Sequence, residues 1–252
     1  MPLLGDADHR ELTGFLQSLA ADLPRPTTIV IITAHWEEEI ASITYSPAPD
    51  LMYDYYGFPP ESYEFKYPAS GNPPLAKQIQ QLLQDHNIDA RLDNHRAYDH
   101  GTFVPLMLMY PAADIPVVQV SLLASLDPAA HIAIGKALAP LREQGVLIVG
   151  SGMSFHNMRA FFSTDPSTKD KSESFDHWLT ETLTDPGLVN KTREERLCTW
   201  ASAPQGRFCH PREEHLLPLL VCWGAASPGS PTAEQNFRGL LFNTAISGYL
   251  WR

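Results

Sequence analysis

The chain has 252 residues, 44% of them hydrophobic and 19% charged, long enough for one large core and ordinary for a globular protein. Its formal charge of -11 repels a phosphate backbone and excludes nucleic acid as an obvious partner. Three cysteines, Cys198, Cys209 and Cys222, are an odd number without a CxxC, which argues for free thiols rather than a disulfide framework.

No apolar run approaches the ~18–20 residues that span a bilayer, and the N-terminus lacks the basic-then-apolar layout of a signal peptide. A cytoplasmic protein without membrane contact is therefore expected.

In chain order, apolar residues recur at helical intervals over residues 10–23, and a PRP break ends that helix. Residues 28–33 form a β-branched apolar run that reads as a buried strand. The proline- and aromatic-rich stretch at 45–74 suits neither helix nor central strand and reads as a long ordered loop. A helix is predicted at 75–86 and another near 100–110, then a strand at 115–122. A helix over 127–145 leads to a strand at 146–152. Helices at 172–183 and 213–226 and one or two closing strands after 237 complete the chain.

This alternation predicts an α/β fold, a single domain over residues 1–252. Its central sheet is mostly parallel or mixed and carries helices on both faces. No repeat, low-complexity tract or flexible linker interrupts it.

In open α/β sheets, ligands gather at the carboxyl ends of strands. His35 follows the strand TIVIITA, and His156 follows VLIVGSGMSF. His215 precedes an apolar helix, and His100 lies between Asp99 and Gly101. Each sits at an element boundary beside small residues, and imidazole is both a common metal ligand and a neutral-pH acid/base. His9, His86, His95, His131 and His177 sit on amphipathic helices or polar loops and are expected to be solvated. His210 is left open. Glu37, Glu38 and Glu39 read mostly as a solvated loop, with one of them a candidate partner for His35.

The segments TAHWEE, YYGFPPESYEFKYPASGNPPLA, DHGTFVPLMLMYP, IPVVQVSL, GSGMSFHN and HPREEHLLPLL occur in this order. In them the chain resembles the DODA-type extradiol aromatic ring-opening dioxygenases of the class III, LigB-like superfamily. The resemblance covers nearly the whole chain and implies a LigB-like fold. It implies His35 and His215 as metal ligands, His156 as the catalytic acid/base and His100 as a second catalytic histidine that hydrogen-bonds substrate or oxygen. The loop carrying Tyr56 and Phe58 is implied to wall the substrate pocket. Asp99 and Asn157 join the substrate-binding set, expected to orient His100 and to fix the backbone around His156; local turn hydrogen bonds are the competing reading for both.

Family members open with a strand running into HGxP, whose histidine is the remaining metal ligand. That segment is missing before Met1, so an upstream stretch is expected to supply it; His9 falls in the first helix and is a poor substitute.

The implied activity is Fe(II)-dependent ring cleavage of a catechol with O2, His156 taking a hydroxyl proton and later donating one. Zinc is the alternative metal, because imidazole sites accept both. The rival readings are a zinc-binding hydrolase and a non-catalytic binding protein on the same fold with an incomplete metal site. The sequence leaves the oligomeric state open, a homo-oligomer included.

Overall fold

The computed structural model describes residues 2–229 and 231–252; Met1 and Ser230 lie outside the described residues. Helix α1 (Arg10–Leu19) tightens into a 3-10 turn at Ala20–Asp22 before the PRP break. Strand β1 (Thr28–Glu38) runs past its predicted end and carries His35, Glu37 and Glu38 within it. After β2 (Ala41–Thr44), the chain stays irregular to residue 72 apart from a 3-10 turn at Pro60–Tyr63 and an isolated bridge between Leu51 and Tyr98. The Asn72 side chain caps α2 (Pro73–Asp85), which leads to β3 (Ala90–Asp93).

Asp99 caps α3 (His100–Met109), and Asp127 caps α4 (Pro128–Leu138) after β4 (Val117–Leu123). A 3-10 turn ending at left-handed Gly145 delivers β5 (Val146–Ser151). The short α5 (Met158–Phe161), then α6 (Ser167–Thr184), α7 (Asn190–Cys198), α8 (Gly206–Cys209) and α9 (Leu217–Ala226) follow. The chain ends in β6 (Glu234–Leu241) and β7 (Thr244–Leu250), joined by Phe242 and Asn243 at φ 47° and 62° in a tight hairpin.

The central sheet has the order β3-β2-β4-β1-β5. β1 runs parallel to β4 and β5, β2 runs parallel to β3, and β2 meets β4 antiparallel, so the sheet is mixed. Alternation along β1 divides the core. Val30 and Ile32 pack with residues of α2, α4 and α9, whereas Ile29 and Ile31 pack with α3 and the apolar stripe of α1. The expected α/β fold with helices on both faces is the fold the chain adopts. The hairpin β6–β7 forms a sheet of its own, tied to α6 through Ser247 and Arg238 on Asp176.

Helices α4 and α9 cross at two glycines. A Cβ on Gly135 would stand 2.1 Å from the Val221 carbonyl oxygen, and one on Gly224 2.3 Å from that of Ile132. This close crossing seats α9, and with it the His215 turn, against the sheet. Among the described residues, no helix is long and apolar enough to cross a membrane.

Several elements depart from the sequence-based expectation. β2 and β3 have four residues each, too short to show a period of two. α7 is a polar helix that buries only Arg193 and Leu197. Of the five histidines expected to be solvated, His86, His95 and His177 are exposed, and His9 is half-buried against Phe242. His131 is fully buried. Its Nδ1–H donates to Asp127 O at 2.7 Å and its Nε2 accepts from Leu123 N at 3.0 Å, stapling the β4–α4 turn.

His210 is also fully buried, 3.0 Å from Ser154 O through Nε2. Burial holds both rings neutral, His131 below its ordinary value and His210 down at about 4. The unfolded chain takes up these protons near pH ~6.5, so it binds more protons than the folded one just below that pH. Stability is therefore expected to fall as pH drops from about 6.5 towards about 4, and less steeply in His210→Gln. Urea unfolding across that range checks this; equal slopes for the variant and the parent would contradict it.

Candidate active site

The site begins where β1 leaves its regular pairing. Register with β4 is broken between Ile32 and Glu37, and pairing with β5 ends at Thr33 opposite Ser151. The N-terminus of α3 fills this opening, tied to β5 by Ser151 Oγ donating to Gly101 O at 2.5 Å. Gly101 is required here: a Cβ would lie 2.6 Å from His35 Nδ1. With that obstruction absent, the His100 ring stacks on His35 at 4.0 Å between centroids and 25° between planes.

Beneath His35 lies Asp99, fully buried. Its carboxylate accepts from Thr33 Oγ1 at 2.9 Å, Arg96 Nη2 at 2.9 Å, Gln119 Nε2 at 2.5 Å and Thr102 N at 3.1 Å. Its Oδ1 is 3.9 Å from His35 Nδ1. Burial pushes this carboxyl up, but the neighbouring His35 and Arg96 outweigh it and hold it below the ordinary carboxylate value. His100 has a different carboxylate. Asp54, from the irregular stretch, accepts His100 Nδ1–H at 2.8 Å and His100 N–H at 2.9 Å on one oxygen.

The second half of the site is built after β5. Met153 N donates to His215 O at 2.9 Å and His156 N to Cys209 O at 3.0 Å, so the SGMSFH and HPREEH segments run side by side. The rings of His156 and His215 stack at 3.3 Å and 11°. Glu214 Oε1 lies 3.0 Å from His215 Nδ1 and 3.8 Å from His156 Nδ1. Arg212 braces this turn, donating to both Glu37 oxygens at 2.6 Å and reaching Glu214 Oε2 at 3.2 Å.

His35 and His215 then meet edge to face at 5.3 Å and 73°. The four rings form one file: His100, His35, His215, His156. Burial, reinforced by the neighbouring His215, holds His156 down at about 3. Burial also lowers His215, against the opposing pull of Glu214. Burial would raise Glu214, but the His215 hydrogen bond and Arg212 win and hold it at about 2. His215 and His156 are thus held towards the neutral imidazole beside an ionised Glu214.

The other sequence-predicted residues lie around this file. Tyr56 is 92% exposed and projects to solvent. Phe58 packs edge-on against Tyr55 at 5.5 Å, and Tyr55 in turn against His100 at 5.6 Å. The Asn157 side chain caps α5 by accepting from Arg159 N and Ala160 N, and donates to Phe208 O at 2.7 Å.

Three readings are corrected. Glu37 and Glu38 are not solvated loop: they lie in β1, Glu37 paired with Arg212 and Glu38 with Arg91. The carboxylate nearest His35 is Asp99 rather than one of these acids, and Asp54 rather than Asp99 holds His100. No spacing or motif in the sequence points to Asp54 or Arg212. Glu214 carried a signal, adjacency to His215; Asp54 carried only its place in an aromatic loop.

Among the described residues, two groups have ligand atoms within 4.8 Å of one another, His35–Asp54–His100 and His156–Glu214–His215. Imidazole with carboxylate is a donor set that iron and zinc both take. Because His35 leans on Gly101, Gly101→Ala is expected to displace the ring and cost about 1–3 kcal/mol of stability. An unchanged Tm with an unmoved His35 ring resonance would contradict that packing.

The sequence profile described as catalytic LigB subunit of aromatic ring-opening dioxygenase matches residues 7–246. The dioxygenase tasH of Hapsidospora irregularis is 40% identical over 246 residues, covering 90% of this chain and 74% of its own. A protein named 4,5-DOPA dioxygenase extradiol from Beta vulgaris is 38% identical, covering 91% of this chain and 85% of its own. One of the same name from Escherichia coli K12 is 37% identical, covering 83% and 76%. The crystal structure of an uncharacterised protein from Escherichia coli K12 matches with a TM-score of 0.77 at 32% identity, covering 93% of this chain and 90% of that one. With its mixed sheet, its file of histidines and a family match across nearly its whole length, the chain belongs to the LigB family of aromatic ring-opening dioxygenases.

Proposed function

We propose that this dioxygenase is a non-haem Fe(II)-dependent extradiol enzyme that opens a catechol-type ring with O2, residues 1–252 forming its catalytic domain. The observation that carries the reading is the file of four imidazoles, each with Nδ1 within 4 Å of a carboxylate oxygen. The relatives named 4,5-DOPA dioxygenase extradiol support the substrate class.

His35 and His215 would hold the metal. His35 Nδ1 lies against Gly101 and faces Asp99 at 3.9 Å, and Glu214 occupies His215 Nδ1, so Nε2 is the nitrogen left for a metal on each ring. A divalent transition metal fits such nitrogens. When bound, Fe(II) supplies the redox capacity that zinc lacks.

His156 acts as acid and base. Burial keeps its ring neutral at rest, which leaves a ring nitrogen free to take a proton. His100 hydrogen-bonds the substrate, accepting from a hydroxyl through Nε2. The aromatic loop bearing Tyr56 and Phe58 walls the pocket and suits a flat ring. Asp99 and Asn157 serve the substrate through their neighbours, Asp99 beneath His35 and Asn157 at the turn after His156.

Oxygen uptake with catechol after anaerobic loading tests this directly. Turnover is expected with Fe(II) and absent with Zn(II). His156→Ala is expected to keep its metal and lose about 10²–10⁴-fold in turnover, whereas His215→Ala loses the metal. Full turnover by His156→Ala would contradict the acid/base assignment, and activity with Zn(II) alone would sink the dioxygenase chemistry.

A further inference from the structure

We propose that Asp54 is a positioning residue: it fixes the His100 ring with Nδ1 as donor and so presents Nε2 as a hydrogen-bond acceptor. What Nε2 meets, a substrate hydroxyl, rests on the function proposed above; the placement of the ring does not.

A single oxygen, Asp54 Oδ1, takes both the backbone N–H and the ring Nδ1–H of His100, at 2.9 and 2.8 Å. The backbone N–H belongs to the first residue of α3, one of the donors a helix start leaves unpaired. Satisfying it fixes the carboxylate relative to the helix axis, and the ring bond then fixes the side-chain torsion. His35 stacks against the ring at 4.0 Å and the Tyr55 ring meets it at 5.6 Å and 89°. An ionised carboxylate accepts only, so in its neutral form the ring carries its proton on Nδ1 and its lone pair on Nε2.

Asp54 can do this because its segment is held in register with α3. Met52 N donates to Tyr98 O at 2.8 Å and Tyr98 N to Asp50 O at 2.8 Å, two residues before His100. Beyond Asp54 the loop is knitted to itself. Tyr53 OH donates to Phe65 O at 2.6 Å, Tyr55 OH to Ser62 O, and the Ser62 hydroxyl to Pro59 O at 2.7 Å. Asp54 thereby makes the polarity of His100 depend on the seating of the aromatic loop. A substrate hydroxyl donating to Nε2 would find the ring already oriented.

Ring 1H–15N spectra of the Zn(II)-loaded protein read the tautomer without turnover. The expected result is Nδ1–H for His100 in the parent protein and in Asp54→Asn, whose amide oxygen keeps both acceptances. Asp54→Ala is expected to shift His100 towards Nε2–H while the other site histidines hold. In the Fe(II)-loaded protein with 4-methylcatechol, Asp54→Ala is expected to lose about 10–100-fold in kcat at unchanged metal content, and Asp54→Asn far less.

An unchanged His100 tautomer in Asp54→Ala, or Asp54→Asn behaving like Asp54→Ala, would overturn the role of Asp54. Absence of catechol turnover in the parent protein would overturn the extradiol reading alone, because the tautomer is measured independently of it.

Discussion

A carboxylate with no access to solvent, Asp99, is the constraint on which this molecule is organised. A buried charge is costly unless its lone pairs are filled, and Asp99 fills them from four directions. Thr33 reaches it from β1, Gln119 from β4, the Thr102 amide from α3, and Arg96 from the turn before α3. Removing one partner of such a group typically costs about 3–5 kcal/mol, so the arrangement is held firmly. The consequence is local and chemical: α3 is driven against β1, and His35 and His100 are pressed together over Gly101.

The other half of the site follows the same rule with a more exposed carboxylate. Glu214 lies beside both His215 and His156, and Arg212 braces it against Glu37 on β1. His35 and Glu37 stand two residues apart on that strand, so the brace links the two histidine pairs through the backbone of β1 itself. A carboxylate fixed to the scaffold lies within 4 Å of each imidazole, and at His100 and His215 its hydrogen bond to Nδ1 sets ring orientation and tautomer before any ligand arrives.

Much of this was legible in the sequence. The runs at 28–33 and 115–122 are almost wholly buried and 146–152 is a half-buried edge strand, and all three announce themselves as continuous apolar stretches. His35, His100, His156 and His215 stood out because each follows or opens an element beside glycine or another small residue, and these four are the ones that converge. The long proline-rich stretch is irregular as expected, because proline removes the donors that helix and ladder need.

What stayed hidden depends on distance in sequence. Asp54 reaches His100 across 46 residues and Arg212 reaches Glu37 across 175, separations that no local pattern encodes. Glu37 and Glu38 looked like surface because three acids in a row are usually solvated; here arginines from elsewhere meet two of them. His131 reads as solvated from its place on a helix, yet its ring is consumed by the backbone of the preceding turn. In each case the partner, rather than the residue, was illegible.

The proposed function requires one metal ion between His35 and His215, in the middle of the file. Anomalous scattering from crystals of the Fe(II)-loaded protein tests it most directly. The expected result is a single iron peak within bonding distance of both rings. A peak bonded to His35, Asp54 and His100 without His215, or to His156, Glu214 and His215 without His35, would contradict it.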